Sequence, residues 1–342
     1  MRKHSGFTLA EMMVAMTLGL LLTSIASTIY LGQKNTFRSQ DGLSRLEENA
    51  RYAIHKITRD TRTAGFRGCL SSTDPAQKPI VSTLTTPTAY AYLFDTPLQG
   101  YHAVGTNWFP ALDASISGAV PAPVTGSDVL TLRMASGQAM SVASSMASST
   151  AALSVNLPSN PGMAAGDIVL VADCVAAAVF QITGITTGTP GTITHTATGL
   201  NASNDLTRAF GPDAIVMPVS TTTYYVAPSS IAPTGTERSL YRMVGTNAPV
   251  ELIENVATLR VLFGVDTDSD SYANQYVTAE NVGATNWTNV VSVRLDLLLQ
   301  TSADNLTRKS GSYLFNGALT AATDHRLRRW YSTTIALRNR TL

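Results

Sequence analysis

The chain is poor in cysteine, in aromatic residues and in charge. Only two of its 342 residues are cysteine, Cys69 and Cys174, and neither belongs to a C-x-x-C or other metal-type spacing, so a zinc site would lack ligands. Aromatics make up 7% and charged residues 14%, and a net charge of +1 gives no field that would draw the chain to a polyanion. The five histidines, His4, His55, His102, His195 and His325, form no H-x-x-H or H-E-x-x-H pair, and G-x-S-x-G, Walker and G-x-G-x-x-G motifs are missing as well. These absences argue against an enzyme, a cofactor, and a nucleic-acid or small-molecule ligand. What is plentiful, Ser, Thr, Ala and Gly, fits short strands and loops better than a helical bundle.

Two lone cysteines suggest one bridge, Cys69 to Cys174, if the body of the chain lies outside the cytoplasm. Two separate buried thiols are the alternative. A bridge closing roughly 100 residues is worth about 4–5 kcal/mol at the upper end.

The first third of the chain is the most informative. Met1 to Gly6 reads MRKHSG, a short polar leader with Arg2 and Lys3, and residues 7–30 are apolar enough to cross a bilayer as a helix about 36 Å long. The leader basics predict a cytoplasmic N-terminus, a bias weakened by Lys34 and Arg38 beyond the span. A secretory signal cut near Ile25-Ala26-Ser27 is the alternative. Against it, Glu11 places a carboxylate inside the apolar run, where dehydrating it is costly. The helical pattern also continues to about residue 64 through Phe37, Leu43, Leu46, Ala50, Ile54, Ile57 and Ala64, with most charges on other faces. Gly19, Gly32 and Gly42 punctuate this helix, each costing about 1 kcal/mol against Ala.

After Gly65 and Gly68 a loop-rich stretch with Pro75 and Pro79 runs to about residue 127. Strands are predicted over 129–133, 168–174, 179–185, 215–226, 291–300 and 327–339. The alternation in 291–300, with Val291, Val293, Leu295, Leu297 and Leu299 on one side, predicts a sheet with one buried face. Val250 onward predicts a short helix feeding a strand over 259–265. Residues 135–165 and 183–206 are biased toward Ala/Ser/Met and Gly/Thr and are expected to be exposed excursions.

The junction Gly6-Phe7-Thr8-Leu9-Ala10-Glu11, followed by Met12-Met13-Val14-Ala15-Met16, resembles the class III prepilin signature, G-F-T-L-x-E and an apolar helix. That resemblance implies that a prepilin peptidase cuts after Gly6 and methylates the amino group of Phe7. It implies for Glu11 an assembly role, a buried glutamate neutralised by a neighbouring subunit's N-terminal ammonium. Further segments resemble PilW-type minor pilins: Gly65-Phe66-Arg67-Gly68-Cys69, the run from Gly166 to Cys174, Leu252-Ile253-Glu254-Asn255-Val256 leading into Phe263-Gly264-Val265-Asp266, and the run from Tyr331 to Arg340. The family implies a subunit that primes a type IV pilus or sits near its tip, partnering other minor pilins and the major pilin.

Three local constellations carry alternatives. Asp266, Asp268 and Asp270 open like a calcium loop, but no Gly follows Asp270 and Val277 stands where the closing Glu belongs, so a solvated turn is the competing reading. Arg326, Arg328, Arg329 and Trp330 form a basic-aromatic cluster for DNA or the charged face of a strand. Asn201, Asn286 and Asn305 begin glycosylation-type sequons.

The expectation is therefore an α+β, type IV pilin-like fold: a leader over 1–6, a transmembrane or filament-core helix over 7–31, its amphipathic continuation over 32–66, and a mostly antiparallel β head over 67–342. The chain would sit in the inner membrane with its head in the periplasm, then pass into the pilus at the cell surface, supporting pilus biogenesis, twitching motility and adhesion. A pseudopilin of type II secretion is the nearest alternative. A membrane-anchored adhesin or calcium-binding β module is the alternative of another class.

Overall fold

The computed structural model describes residues 8–70, 80–135, 137–232, 235–283, 287–304, 306–307, 310–315 and 317–339. Two compact units emerge, Met1–Glu48 with Gln300–Arg329 and Asn49–Leu299 with Trp330–Leu342. A single helix of 55 residues, α1 (Leu9–Thr63), begins in the first and ends in the second.

In the first unit, a Cβ on Gly42 would lie 3.1 Å from Thr301 Cγ2 and 3.4 Å from Leu306 Cδ1, so this glycine lets the segment after residue 300 approach the helix closely. Gly19 and Gly32 face open space. The hairpin Ser312–Phe315 and Ala318–Ala321 pairs Leu314 with Leu319, both exposed. Arg328 grips Asp324 with two bonds of 2.6 and 2.7 Å and lies 5.1 Å over the Tyr313 ring, while Arg329 reaches Glu47 at 2.5 Å. The basic cluster is thus largely neutralised in place.

In the second unit, α1 buries Ala50, Ala53, Ile57, Asp60, Thr61 and Ala64, a stripe at helical spacing. Ala53 is buried, and Ile54, expected on the stripe, is half-buried beside it. Phe37, expected on the apolar stripe, is 70% exposed. The helix end is zipped to the sheet where Gly65 N donates to Arg133 O at 2.9 Å, with Gly65 in the left-handed region.

The central strand Ile215–Pro228 changes partners midway. Ile215 to Pro218 pair with Ile168–Ala172, and from Val219 the strand pairs with Val129–Ala135 and then Arg238–Val244, so one strand joins two halves of a 13-stranded sheet. A second sheet of four strands runs Gln275–Val277, Val256–Val265, Val290–Gln300, Arg328–Ala336. Gly100 marks where the two sheets pack: a Cβ there would fall 2.1 Å from Phe263 Cζ, and Phe263 in turn meets Trp287 edge-on at 5.0 Å.

Three expectations are corrected. The segments 135–165 and 183–206 are not exposed excursions: Met140–Ser144, Leu153–Leu157 and Gly188–Thr194 are strands whose Val142, Leu153, Val155 and Ile193 enclose one of the hydrophobic cores. Val250 does not open a helix. Val250–Glu254 and Val256–Val265 are strands separated at Asn255, whose φ of 64° suits an asparagine and breaks the line. Val290–Gln300 buries both faces, since Ser292, Asp296 and Leu298 are covered as well as the alternating Val and Leu residues. The other expected strands stand, with the expected 179–185 divided between Ala177–Gln181 and Gly184–Thr186, and Arg328–Ala336 shorter than the expected 327–339.

Candidate assembly site

The N-terminal stretch places its functional groups through ordinary helix-start chemistry. Thr8 precedes the first helical residue, and Glu11 stands three residues further on. Glu11 N donates to Thr8 Oγ1 at 3.3 Å, while Thr8 N and Thr8 Oγ1 donate to Glu11 Oε2 at 2.9 and 3.0 Å. This is a capping box, in which two groups at the helix start satisfy each other, and it fixes the carboxylate of Glu11 at the first turn. The T-x-x-E spacing ahead of an apolar run carried that signal in the sequence. Gly6 and Phe7 lie outside the described residues.

From Leu9 the helix is apolar on every face and long enough to cross a membrane, and none of its most apolar window is buried within the chain. Its threonine hydroxyls bond back to the helix: Thr17, Thr23, Thr28 and Thr36 donate to the carbonyls of Val14, Gly19, Ser24 and Gly32 at 2.7–3.0 Å. Such back-bonding lets Ser and Thr enter an apolar medium without an orphaned donor. An apolar helix exposed on all sides suits burial in lipid or among other helices.

Behind the helix, Cys69 and Cys174 form a disulfide with Cα atoms 4.9 Å apart, tying the chain just past α1 to the turn after Ile168–Ala172. Asp173 shapes that turn by accepting from Val175 N and Ala176 N, both at 2.7 Å, and pairs with Arg208 at 3.0 Å.

The three aspartates come together, with carboxylate oxygens within 4.8 Å of one another. Asp266 is occupied by its own loop: it accepts from Asp268 N, Ser269 N and Ser271 N at 2.7–3.1 Å. Burial pushes its carboxyl up, but the donated N–H groups outweigh that and hold it below the ordinary carboxylate range. Asn201 is buried and spends its side chain on Gln181 O and Thr196 O, which leaves it closed to glycosylation. Asn286 and Asn305 lie outside the described residues.

Three of the histidines, His102, His195 and His325, serve structure. His102 contacts Asp128 at 2.9 Å and Arg260 at 2.7 Å, His195 reaches Ala151 O at 2.8 Å, and His325 reaches Thr307 O at 3.0 Å. A group that sequence reasoning did not single out is Asp60, which receives the Tyr224 hydroxyl at 2.5 Å with Lys56 and Arg242 at 3.7 and 3.6 Å.

Comparison with known proteins adds two family matches. Residues 223–339 match the model described as Type IV Pilus-assembly protein W, and residues 1–27 match the prokaryotic N-terminal methylation motif. No curated protein matches the sequence. Among solved structures, a type IV-like pilin from Thermus thermophilus is similar at 11% identity and a TM-score of 0.32, covering 87% of this chain and 98% of that one.

Proposed function

From a chain that is type IV pilin-like, with a PilW-type domain behind an N-terminal methylation motif, we propose a minor pilin that primes pilus assembly and sits in or near the filament tip. It supports pilus biogenesis, twitching motility and adhesion from that position. The observation that carries the reading is the pairing of a PilW-type domain with a methylation motif whose apolar helix is capped by Thr8 and Glu11.

The chain is a membrane-anchored pilin. In the proposed sequence of events a prepilin peptidase cuts between Gly6 and Phe7 and methylates the new amino group of Phe7. The head waits in the periplasm and then enters the pilus beside other minor pilins and the major pilin. Glu11, neutralised by the N-terminal ammonium of a neighbour, sets the register of the incoming helix. A carboxylate in an apolar core is stable only when so paired. The chain acts as a structural subunit and performs no catalysis.

The test is the mass of the mature N-terminus in cells with and without prepilin peptidase. A product starting at N-methylated Phe7 only when the peptidase is present supports the reading, and an uncut chain or one cut near Ala26 overturns it. Deleting the chain then separates pilus from secretion: loss of surface pili and twitching is expected, and loss of protein export with intact pili would assign it to type II secretion.

A further inference from the structure

Where the end of α1 meets the sheet, a cleft of about 520 Å³ opens within the second unit. Lys56, Arg59 and Asp60 reach it from one face of the helix, at positions i, i+3 and i+4, and Arg242 reaches it from the strand Arg238–Val244. Three cations and one carboxylate therefore line the cleft. That carboxylate is already engaged, since Asp60 Oδ2 accepts the Tyr224 hydroxyl at 2.5 Å and its side chain is only 8% exposed. Lys56 and Arg242 stand 3.7 and 3.6 Å from it, and the Arg242 Nε, buried, makes no hydrogen bond. Arg59 is exposed, and among the described residues its side chain has no partner. Phe66, Met134 and Met217 supply an apolar stretch of the wall, beside the hydroxyl residues Thr63 and Ser220.

An excess of two positive charges beside a partly apolar wall is complementary to an anionic side chain carried on a peptide. We propose that this cleft receives the carboxylate of an Asp or Glu from a neighbouring pilin subunit, held chiefly by Arg59 with Lys56 and Arg242 supplying the rest of the positive field. The inference rests on the pilin reading, because a filament supplies neighbours at high local concentration. Charge pairs of this kind select partner and register more than they add raw affinity. They also weaken with salt where the cleft is open to water.

Carbodiimide coupling tests it, because the reagent joins a carboxylate directly to the Lys56 amine only when the two are in contact. Full-length chain is coupled in membranes and in sheared filaments and the Lys56 peptide is identified by mass. The expected product joins Lys56 to an Asp or Glu of another chain, and its yield falls about tenfold in Arg59→Glu. Lys56 joined only to its own Asp60, or an intersubunit product indifferent to Arg59→Glu, overturns the proposal. Arg59→Gln and a melting curve guard against a folding defect. The N-terminal mass of the same sample reports separately on the pilin reading. If that fails, coupling is repeated on purified full-length chain with succinate as the probe. Succinylation of Lys56 that Arg59→Glu abolishes would mark a small-carboxylate site and likewise overturn the intersubunit contact.

Discussion

The Tyr224 hydroxyl donates to Asp60 Oδ2 at 2.5 Å, joining α1 to the central strand across 164 residues of sequence. A charged acceptor buried to this degree depends on its donors, because leaving it unmet costs more than the bond itself contributes. Tyr224→Phe keeps the ring and its packing and removes only the hydroxyl. The expected loss is about 1.5–3 kcal/mol, read as a lowered denaturation midpoint of the full-length chain in detergent. Combining it with Asp60→Asn is expected to cost less than the two single changes together, since both break one contact. A midpoint unchanged in Tyr224→Phe would show that the bond contributes nothing to stability.

Alkaline pH acts on the same feature and its neighbours. Burial pushes the Tyr224 phenol far above its ordinary range, with Asp60 adding to the shift, and burial likewise raises Tyr101 and Tyr225. Tyr241 is pushed up to about 12, by burial first and then by Glu251. In the unfolded chain these phenols ionise near pH 10. Folded-state values above the unfolded ones give stability that is complete below about pH 10 and declines as pH rises past it. Tyrosinate absorbance is expected to show the buried phenols of Tyr101, Tyr224, Tyr225 and Tyr241 ionising only as the fold opens. Titration of all 12 tyrosines in one step near pH 10 would contradict it.

How much of this was legible beforehand follows from range. The helix was readable from end to end because its pattern is local: apolar residues without interruption, then a stripe through Ala50 and Ile57, then Gly65. The strands Val129–Ala135 and Ile215–Pro228 were readable because β-branched runs bounded by Gly, Pro or Asp look alike in any context. What failed depended on partners far off in sequence. Val250, Ile253 and Val256 recur every third residue like a helix turn, and only pairing with Arg238–Val244 makes the first two a strand. Met140, Val142, Leu153 and Val155 sit among Ala and Ser that hide a core. Asp60 looked like another solvent-facing charge, because neither Tyr224 nor Arg242 lies near it in the chain. At the assembly site, T-x-x-E is a local signal that the sequence reading passed over, whereas the cationic cleft needed the helix end and three distant strands together.

The bridge between Cys69 and Cys174 spans 105 residues and fastens the chain at the end of α1 to the sheet. Removing it frees a long loop in the unfolded state, which lowers stability by about 4–5 kcal/mol at the upper end of what loop closure provides. Cys69→Ser with Cys174→Ser is expected to lower the denaturation midpoint by an amount in the range of about 2–5 kcal/mol, and dithiothreitol on the native chain is expected to do the same. Free-thiol mass labelling checks the chemistry: no label before reduction and two labels after. Labels on the untreated periplasmic form would mean that the bridge is not made in the cell.

The capping box separates two roles that Glu11 combines, since its carboxylate both closes the helix start with Thr8 and carries the charge assigned to assembly. Thr8→Ala removes the cap and leaves the charge, and the expected cost is about 1 kcal/mol at the first turn. Amide exchange at Ala10 and Glu11 is then expected to speed up about fivefold, with incorporation into filaments little changed. Glu11→Gln does the reverse, because an amide oxygen still accepts from Thr8 but has no charge to offer a neighbour's ammonium. Protection of the first turn is expected to hold while filament incorporation falls about tenfold or more, as expected when one member of a buried charge pair is removed. If Glu11→Gln assembled as well as the native chain, the carboxylate would serve the helix start alone. If Thr8→Ala abolished assembly as well, the cap itself would be required to aim Glu11, and the two residues would act as one device.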